Sequence, residues 1–547
     1  MKIKSDILRQ YQSVHIWTGI ISGIVLFIGF YAGSLTMFKP AINAWAAPPS
    51  DTLSSINTAQ FDSLIKQASM QYEEVKKGFN IFLNQKEHSP MTWYEKGSAR
   101  ELSLNDQLWH ASLDEKNQLI AHKTNPSALA ELIDQLHQTA GIAGKIGHEY
   151  LGVYILGIAA ILYFLALISG VIFLLPSLAK TFFALRKNKS SSRFWLDAHN
   201  LVGITSLPFH LVISLSVVVF AFHDPLYGSL KLAVYQEQPL FPAQKHTKIT
   251  YDISQLQPVS SLINQAQNFA PSHQVIDMTF MNLNNPRAML RLGMYDKGGL
   301  MRGPITDYIY MNPYNLKITN SSLDPSDEGI WTRAVATFFA LHFGSFGGDM
   351  GRWVYFLLGL GGAFLFYSGN LLWLEKRRKK FKKDNLLPTQ TRACHLMASA
   401  TIGICFGSVA AVSITMLAGK WLYPWVENIN SIYLPVYYLI FLSLVAYAFI
   451  QGAAKSAIAI FKICAIATLA IPLTSIIAVL MPSLGLWSAN SISTLGVDLV
   501  ALAFGLCFIY GVIKMKKRAL YGPIDSIWSL SSHIKKEVSF SCTEKIQ

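Results

Sequence analysis

Long apolar runs alternate with long polar stretches along this chain. Eight apolar runs lie near residues 15–38, 149–175, 199–222, 352–374, 395–418, 432–451, 457–481 and 495–513. Each is long enough, as a helix, to cross roughly 30 Å of hydrocarbon. Two polar stretches interrupt them, at 39–147 and 223–350. Each opens with helical periodicity ("TAQFDSLIKQASMQY", "DISQLQPVSSLINQAQNF") and continues with strand-like alternation ("ELSLNDQLWHASLDEKNQLI", "RAMLRLGMYDKGG", "DYIYMNPYNLKIT"). A unit of span, mixed α/β stretch and span thus occurs twice. The pattern predicts an all-α polytopic membrane bundle of about eight spans with two α+β domains outside it. The expected division is 1–38 first span, 39–147 outside domain, 148–222 spans two and three, 223–350 second outside domain, 351–375 span four, 376–394 basic loop, 395–513 four further spans and 514–547 tail.

Charge sets the orientation. Lys2, Lys4 and Arg9 precede the first span; Lys180, Arg186, Lys187, Lys189 and Arg193 follow the second; "EKRRKKFKK" follows the fourth and "KMKKR" the eighth. The connections 419–431 and 482–494 hold a single lysine, Lys420. The positive-inside rule then places both termini in the cytoplasm and both polar stretches outside, in a bacterial inner membrane. "AWAAPP" after the first span resembles a signal-peptidase site, but the run before it has the length of a retained anchor.

Composition narrows the class. Of 547 residues, 51% are hydrophobic and 14% charged, too apolar for an ordinary soluble enzyme. The net charge of +14 sits beside the apolar runs, as membrane topology requires, so nucleic acid is not an expected partner. The five cysteines form no CxxC pair and none lies in a polar stretch, so no disulfide is expected there. No nucleophilic triad or carboxylate pair stands out in the polar stretches. Their histidines, His88, His110, His122, His246 and His273, read as scattered surface residues.

Histidine carries the chemistry. An imidazole in a membrane span is costly without a partner. His15 opens the first span and His199 the third, both at the cytoplasmic face. His137 and His148 precede the second span and His342 the fourth, near the outer face. His210 lies between, on the stretch "FWLDAHNLVGITSLPFH". On an ideal helix His199 and His210 are about 16 Å apart and about 20° out of register; Pro208 can kink that helix. Two layers of histidine in a glycine-rich bundle (Gly19, Gly23, Gly29, Gly33, Gly359, Gly361, Gly362) point to two stacked b-type haems, each with two axial ligands. Depth pairs His15 with His199 and His137 with His342. His148 and His210 stay open as alternates in the outer layer, and His395, in "RACHLM", as an alternate at the inner face. The haem iron is the metal expected; no zinc motif occurs.

The stretches "HIWTGIISG", "QLHQTAG", "YLGVYILGIAAILYFLALISGVIFLLP", "FWLDAHNLVGITSLPFH" and "ALHFGSFGGDMGRWVYFLLGLGGAFLFYSGNLLWLEKRR" resemble the PepSY-associated transmembrane family, over about residues 10–380. That family includes iron-regulated inner-membrane proteins and ferric-siderophore reductases. The resemblance implies PepSY-like outside domains, haem on His15, His137, His199 and His342, and electrons passed outward to a ferric siderophore or other ferric chelate. A quinol or a cytoplasmic reductase would be the donor, and membrane lipid the surroundings. Two other readings remain: a PepSY-bearing binding or regulatory protein without haem, and a transporter using the last four spans. In those spans Asp498 is the one carboxylate well inside a span end.

Overall fold

The computed structural model describes residues 4–48, 53–85, 88–95, 107–125, 127–147, 149–178, 184–186, 191–233, 251–296, 301–323, 329–382, 387–489 and 491–530. The chain forms two compact units: one of residues 1–46, 129–221 and 356–547, the other of 47–128 and 222–355.

The first unit is helical. Its helices are α1 (Ser5–Thr36), α2 (Lys39–Ala46), α4 (Leu129–Thr139), α5 (Leu151–Leu174), α6 (Ser191–Thr205), α7 (Leu207–Ala221), most of α11 (Gly348–Arg377), α12 (Arg392–Ala400), α13 (Gly407–Trp421), α14 (Asn430–Gln451), α15 (Ala453–Leu480) and α16 (Ile492–Tyr521). A π-helical stretch, Thr401–Phe406, fuses α12 to α13. A small hairpin, β5 (Lys145–Ile146) and β6 (Glu149–Tyr150), leads into α5. Among the described residues seven helices are long and apolar enough to cross a membrane, and eight crossings result if α6 and α7 count as one. Those two meet at a 69° bend. Pro208 is the cause. It has no N–H for the carbonyl one turn back, and its ring crowds that turn. The chain breaks at Ser206 and restarts with Pro208 in the first turn of α7. The ideal-helix relation between His199 and His210 is therefore replaced by a corner.

Small residues let the helices meet closely. A Cβ on Gly362 of α11 would lie 2.3 Å from the Phe30 ring of α1. One on Gly359 would meet the Ser34 hydroxyl. Gly19, by contrast, faces open space. Several polar groups in the spans find partners within the helices: Ser34 donates to the Phe30 carbonyl, and Asn370 donates to Thr401 Oγ1 at 3.2 Å.

The second unit is α/β. Each polar stretch supplies one helix and four strands: α3 (Phe61–Gln71) with β1 (Gly78–Phe82), β2 (Met91–Tyr94), β3 (Leu108–Leu113) and β4 (Leu119–Thr124); α9 (Val259–Phe269) with β7 (Gln274–Met281), β8 (Met289–Tyr295), β9 (Asp307–Met311) and β10 (Ile318–Ser321). The helices α8 (His223–Ala233) and α10 (Gly329–Phe343) flank the second set. The two sets make one antiparallel sheet, ordered β10-β9-β8-β7-β1-β2-β3-β4, with β1 and β7 paired at its centre. The repeat seen in sequence thus closes into a single core. Phe61, Leu64 and Ala68 of α3 and Val259, Leu262 and Ala266 of α9 share it with Phe79, Ile81, Phe280 and Leu290.

The opposite face of that sheet carries a row in direct register: Tyr310, Arg291, Thr279, Asn80, Thr92, His110 and His122. Here the expectation of scattered surface histidines fails. Cross-strand pairing of β3 with β4 stacks His110 on His122, with ring centroids 5.3 Å apart. His110 is buried, bonded to Ser89 Oγ at 3.2 Å and Thr124 Oγ1 at 2.9 Å. His246 lies outside the described residues. Burial first, then His122 and His88, push the His110 imidazole down to about 4. The folded state therefore holds His110 neutral over a range where the unfolded chain, near 6.5, binds a proton. Its contribution to stability is whole above about pH 6.5, declines as pH falls, and is gone below about 4. Replacement His110→Asn is expected to flatten the pH dependence of chemical unfolding across pH 4–6.5, followed by Trp fluorescence; an unchanged slope defeats this account.

Candidate functional site

His15, His137, His199 and His210 lie within the helical unit. His15 sits on α1. Its Nδ1 is 2.8 Å from the Ala166 carbonyl of α5. A carbonyl only accepts, so Nδ1 carries the proton and Nε2 keeps its lone pair. The ring reaches that carbonyl because position 170 is glycine: a Cβ there would lie 2.8 Å from His15 Nδ1. His199, on α6, has Nδ1 2.8 Å from Ser368 Oγ of α11. The Ser368 hydroxyl gives its own proton to the Leu365 carbonyl at 3.2 Å, so it accepts from His199 and again leaves Nε2 basic.

The structure brings these two together, as depth in the sequence anticipates. Their ring centroids are 6.2 Å apart and the planes cross at 78°. With metal–nitrogen bonds of about 2.0 Å, two imidazoles on opposite sides of one metal have centroids about 6.3 Å apart. The second partner of each ring fixes its tautomer and aim, which is how ligating histidines are held in place.

His137, on α4, repeats the arrangement one level away. Its Nδ1 donates to the Gly29 carbonyl of α1 at 2.9 Å. Position 33 is glycine, and a Cβ there would lie 2.6 Å from that nitrogen. From His15 to Gly29 along α1 is about 21 Å at 1.5 Å per residue, so the two levels are separate.

His210 is different. It is wholly buried on α7. Among the described residues neither ring nitrogen has a hydrogen-bond partner, and the nearby buried Tyr163 hydroxyl also lacks one. Around it stand the rings of Phe30 at 5.6 Å, Tyr163 at 5.9 Å and Phe209 at 5.1 Å. His210 thus packs on the ring of Phe30, the residue after Gly29, whose carbonyl holds His137. A buried polar group without a partner costs about 1–3 kcal/mol and calls for an explanation.

Of the others, His342 stands in the last turn of α10, in the α/β unit. His395 is exposed in the first turn of α12. His148 lies outside the described residues. Among the described residues no three His, Cys, Asp or Glu side chains converge on a metal position.

Sequence reasoning missed one cluster. Lys420 is not in a loop. It is fully buried in the last turn of α13, with Nζ 3.0 Å from the Trp487 carbonyl and 3.8 Å above the Trp45 ring. Trp45 Nε1 donates to Asp498 at 3.0 Å. The two tryptophans beside a lysine and an aspartate were visible as residue types; their meeting across more than 400 positions was not.

Helices of this length and hydropathy, with an α/β unit set between them in sequence, define a multi-pass membrane protein. The chain belongs to the PepSY-associated transmembrane family, whose PepSY-associated TM region matches residues 12–376. No curated protein matches the chain. Helices α12 to α16 lie beyond the matched residues.

Proposed function

We propose that this protein is a haem-carrying transmembrane reductase that delivers electrons to a ferric siderophore or another ferric chelate outside the inner membrane. The observation that carries the reading is the pair His15–His199: two imidazoles with Nδ1 held, Nε2 basic, and rings 6.2 Å apart. His15 and His199 would hold one b-type haem. His137 and His210 would hold the second; the bare nitrogens of His210 are the supporting observation. Haem supplies one-electron chemistry, cycling between ferric and ferrous iron at a potential set by its ligands and surroundings.

The chain's own part is to fix the ligands. The Ala166 carbonyl and Ser368 hydroxyl orient the first pair, and the Gly29 carbonyl orients His137. The Phe30, Tyr163 and Phe209 rings around His210, with Phe366 packed on Tyr163, shield the second level. The Lys/Arg asymmetry puts the His15–His199 level toward the cytoplasm and the His137 level toward the outside. A quinol donor would release two electrons and two protons, and two ferric chelates would each accept one electron. Ferrous iron binds hard oxygen ligands more weakly, so the metal is released. The α/β unit, a PepSY-like module, is the part that faces the chelate.

The test is the absorption spectrum of the purified, haem-reconstituted protein. A Soret band with a stoichiometry of two haems, re-oxidised by a ferric chelate after reduction, is the expected result. A protein that takes up no haem removes this reading and leaves a binding or regulatory role.

A further inference from the structure

The four C-terminal spans have no part in the mechanism above, yet they grip the segment that carries His137. Helix α4 has 11 residues, too short to hold its shape alone. One end is tied to α2, where Lys39 reaches Asp134 at 2.9 Å and Glu131 at 3.5 Å. The other end turns through Ala140 and Gly141, both in the left-handed region at φ 51° and 73°. The Gly141 carbonyl accepts a hydrogen bond from the Tyr438 hydroxyl of α14 at 2.8 Å. Helix α2 is pinned in turn at its last turn. Trp45 donates to Asp498 of α16, its carbonyl accepts from Trp487 at 2.9 Å, and its ring lies under Lys420 of α13.

A lysine at zero exposure in a membrane helix is expensive unless it serves a purpose. Here its charge faces the Trp45 ring and one carbonyl, where cation–π attraction is strengthened by burial. We infer that Tyr438, Lys420 and Asp498 are positioning residues: the C-terminal helices form a clamp that holds α2 and α4, and through them the His137 imidazole, in its seat on Gly29 and Gly33. The haem site at His137 rests on the reading above; the clamp itself does not. The seat tolerates little movement, because the ring lies against a glycine with no room for a single added carbon.

The experiment measures the reactivity of each histidine toward diethyl pyrocarbonate by peptide mass spectrometry. It uses the full-length haem-free protein in detergent, with Tyr438→Phe, Lys420→Met and Trp45→Phe. His137 is expected to react several-fold faster in the variants, with His15 and His199 unchanged. In haem-loaded protein the same variants are expected to weaken haem at one site about tenfold and leave the other intact. Parent-like reactivity of His137 in all three variants, or an equal rise at His15 and His199, overturns the clamp. Tyr438→Phe removes a single hydroxyl and keeps the test alive should the buried substitutions prevent folding. If the parent protein binds no haem while His137 still responds, the clamp stands and only the haem reading falls.

Discussion

The His199→Ala variant is expected to lose one of two haems, and His15→Ala to lose the same one. In the proposed site each ring would supply one Nε2 to the same haem, and the ring centroids are 6.2 Å apart, so removing either would leave a lone imidazole where two are required. The surviving ring stays in place, since His15 is anchored to Ala166 and His199 to Ser368 by independent bonds. The defect should therefore appear in haem content and in the spectrum, with little change in the fold. Ser368→Ala gives a finer test. It keeps both ligands and removes only the acceptor that fixes the His199 tautomer. About a 10-fold to 100-fold loss of affinity at that site is expected, as for other partners behind ligating histidines. Haem titration of the three variants checks all of this. Two haems retained in both histidine variants would exclude the pair.

Much of this architecture is legible in the sequence. The apolar runs anticipate every long helix because membrane crossing imposes length and hydropathy on a contiguous segment. The pairing of His15 with His199 was legible for a related reason: topology assigns depth, and depth limits which imidazoles can meet. Pro208 marked the break in the third run, though not its 69° angle. What was hidden depends on long-range contact. Strands β1 and β7 are separated by nearly 200 positions, so the fusion of two polar stretches into one sheet left no local trace. His110 looks like a surface residue because alternation says which side of a strand it is on, and loops decide whether that side is covered. Lys420 reads as a loop cation by its position after an apolar run; the rings of Trp45 and Trp487 and the Trp487 carbonyl make its burial intelligible. Gly33 and Gly170 were legible as small residues but not as seats for imidazoles.

His210→Leu is expected to have opposite effects on the haem-free and haem-loaded protein. In the haem-free state the imidazole brings two polar nitrogens into an aromatic enclosure and satisfies neither. Leucine fills a similar space without polar atoms. The haem-free protein should gain about 1–3 kcal/mol, the size of the desolvation penalty removed. A core histidine retained for packing alone would give that gain and nothing else. If His210 is a ligand, the loaded protein tells a different story. It should keep the haem at His15 and His199, lose the one at His137, and no longer gain stability from the second equivalent of haem, because a ligand stabilises only the state that binds it. Chemical unfolding in detergent, with and without haem, reads both effects. A variant that is more stable when haem-free and still binds two haems assigns His210 to packing. A variant less stable in the haem-free state shows that its nitrogens have partners of their own, and His210 then ceases to support a second haem.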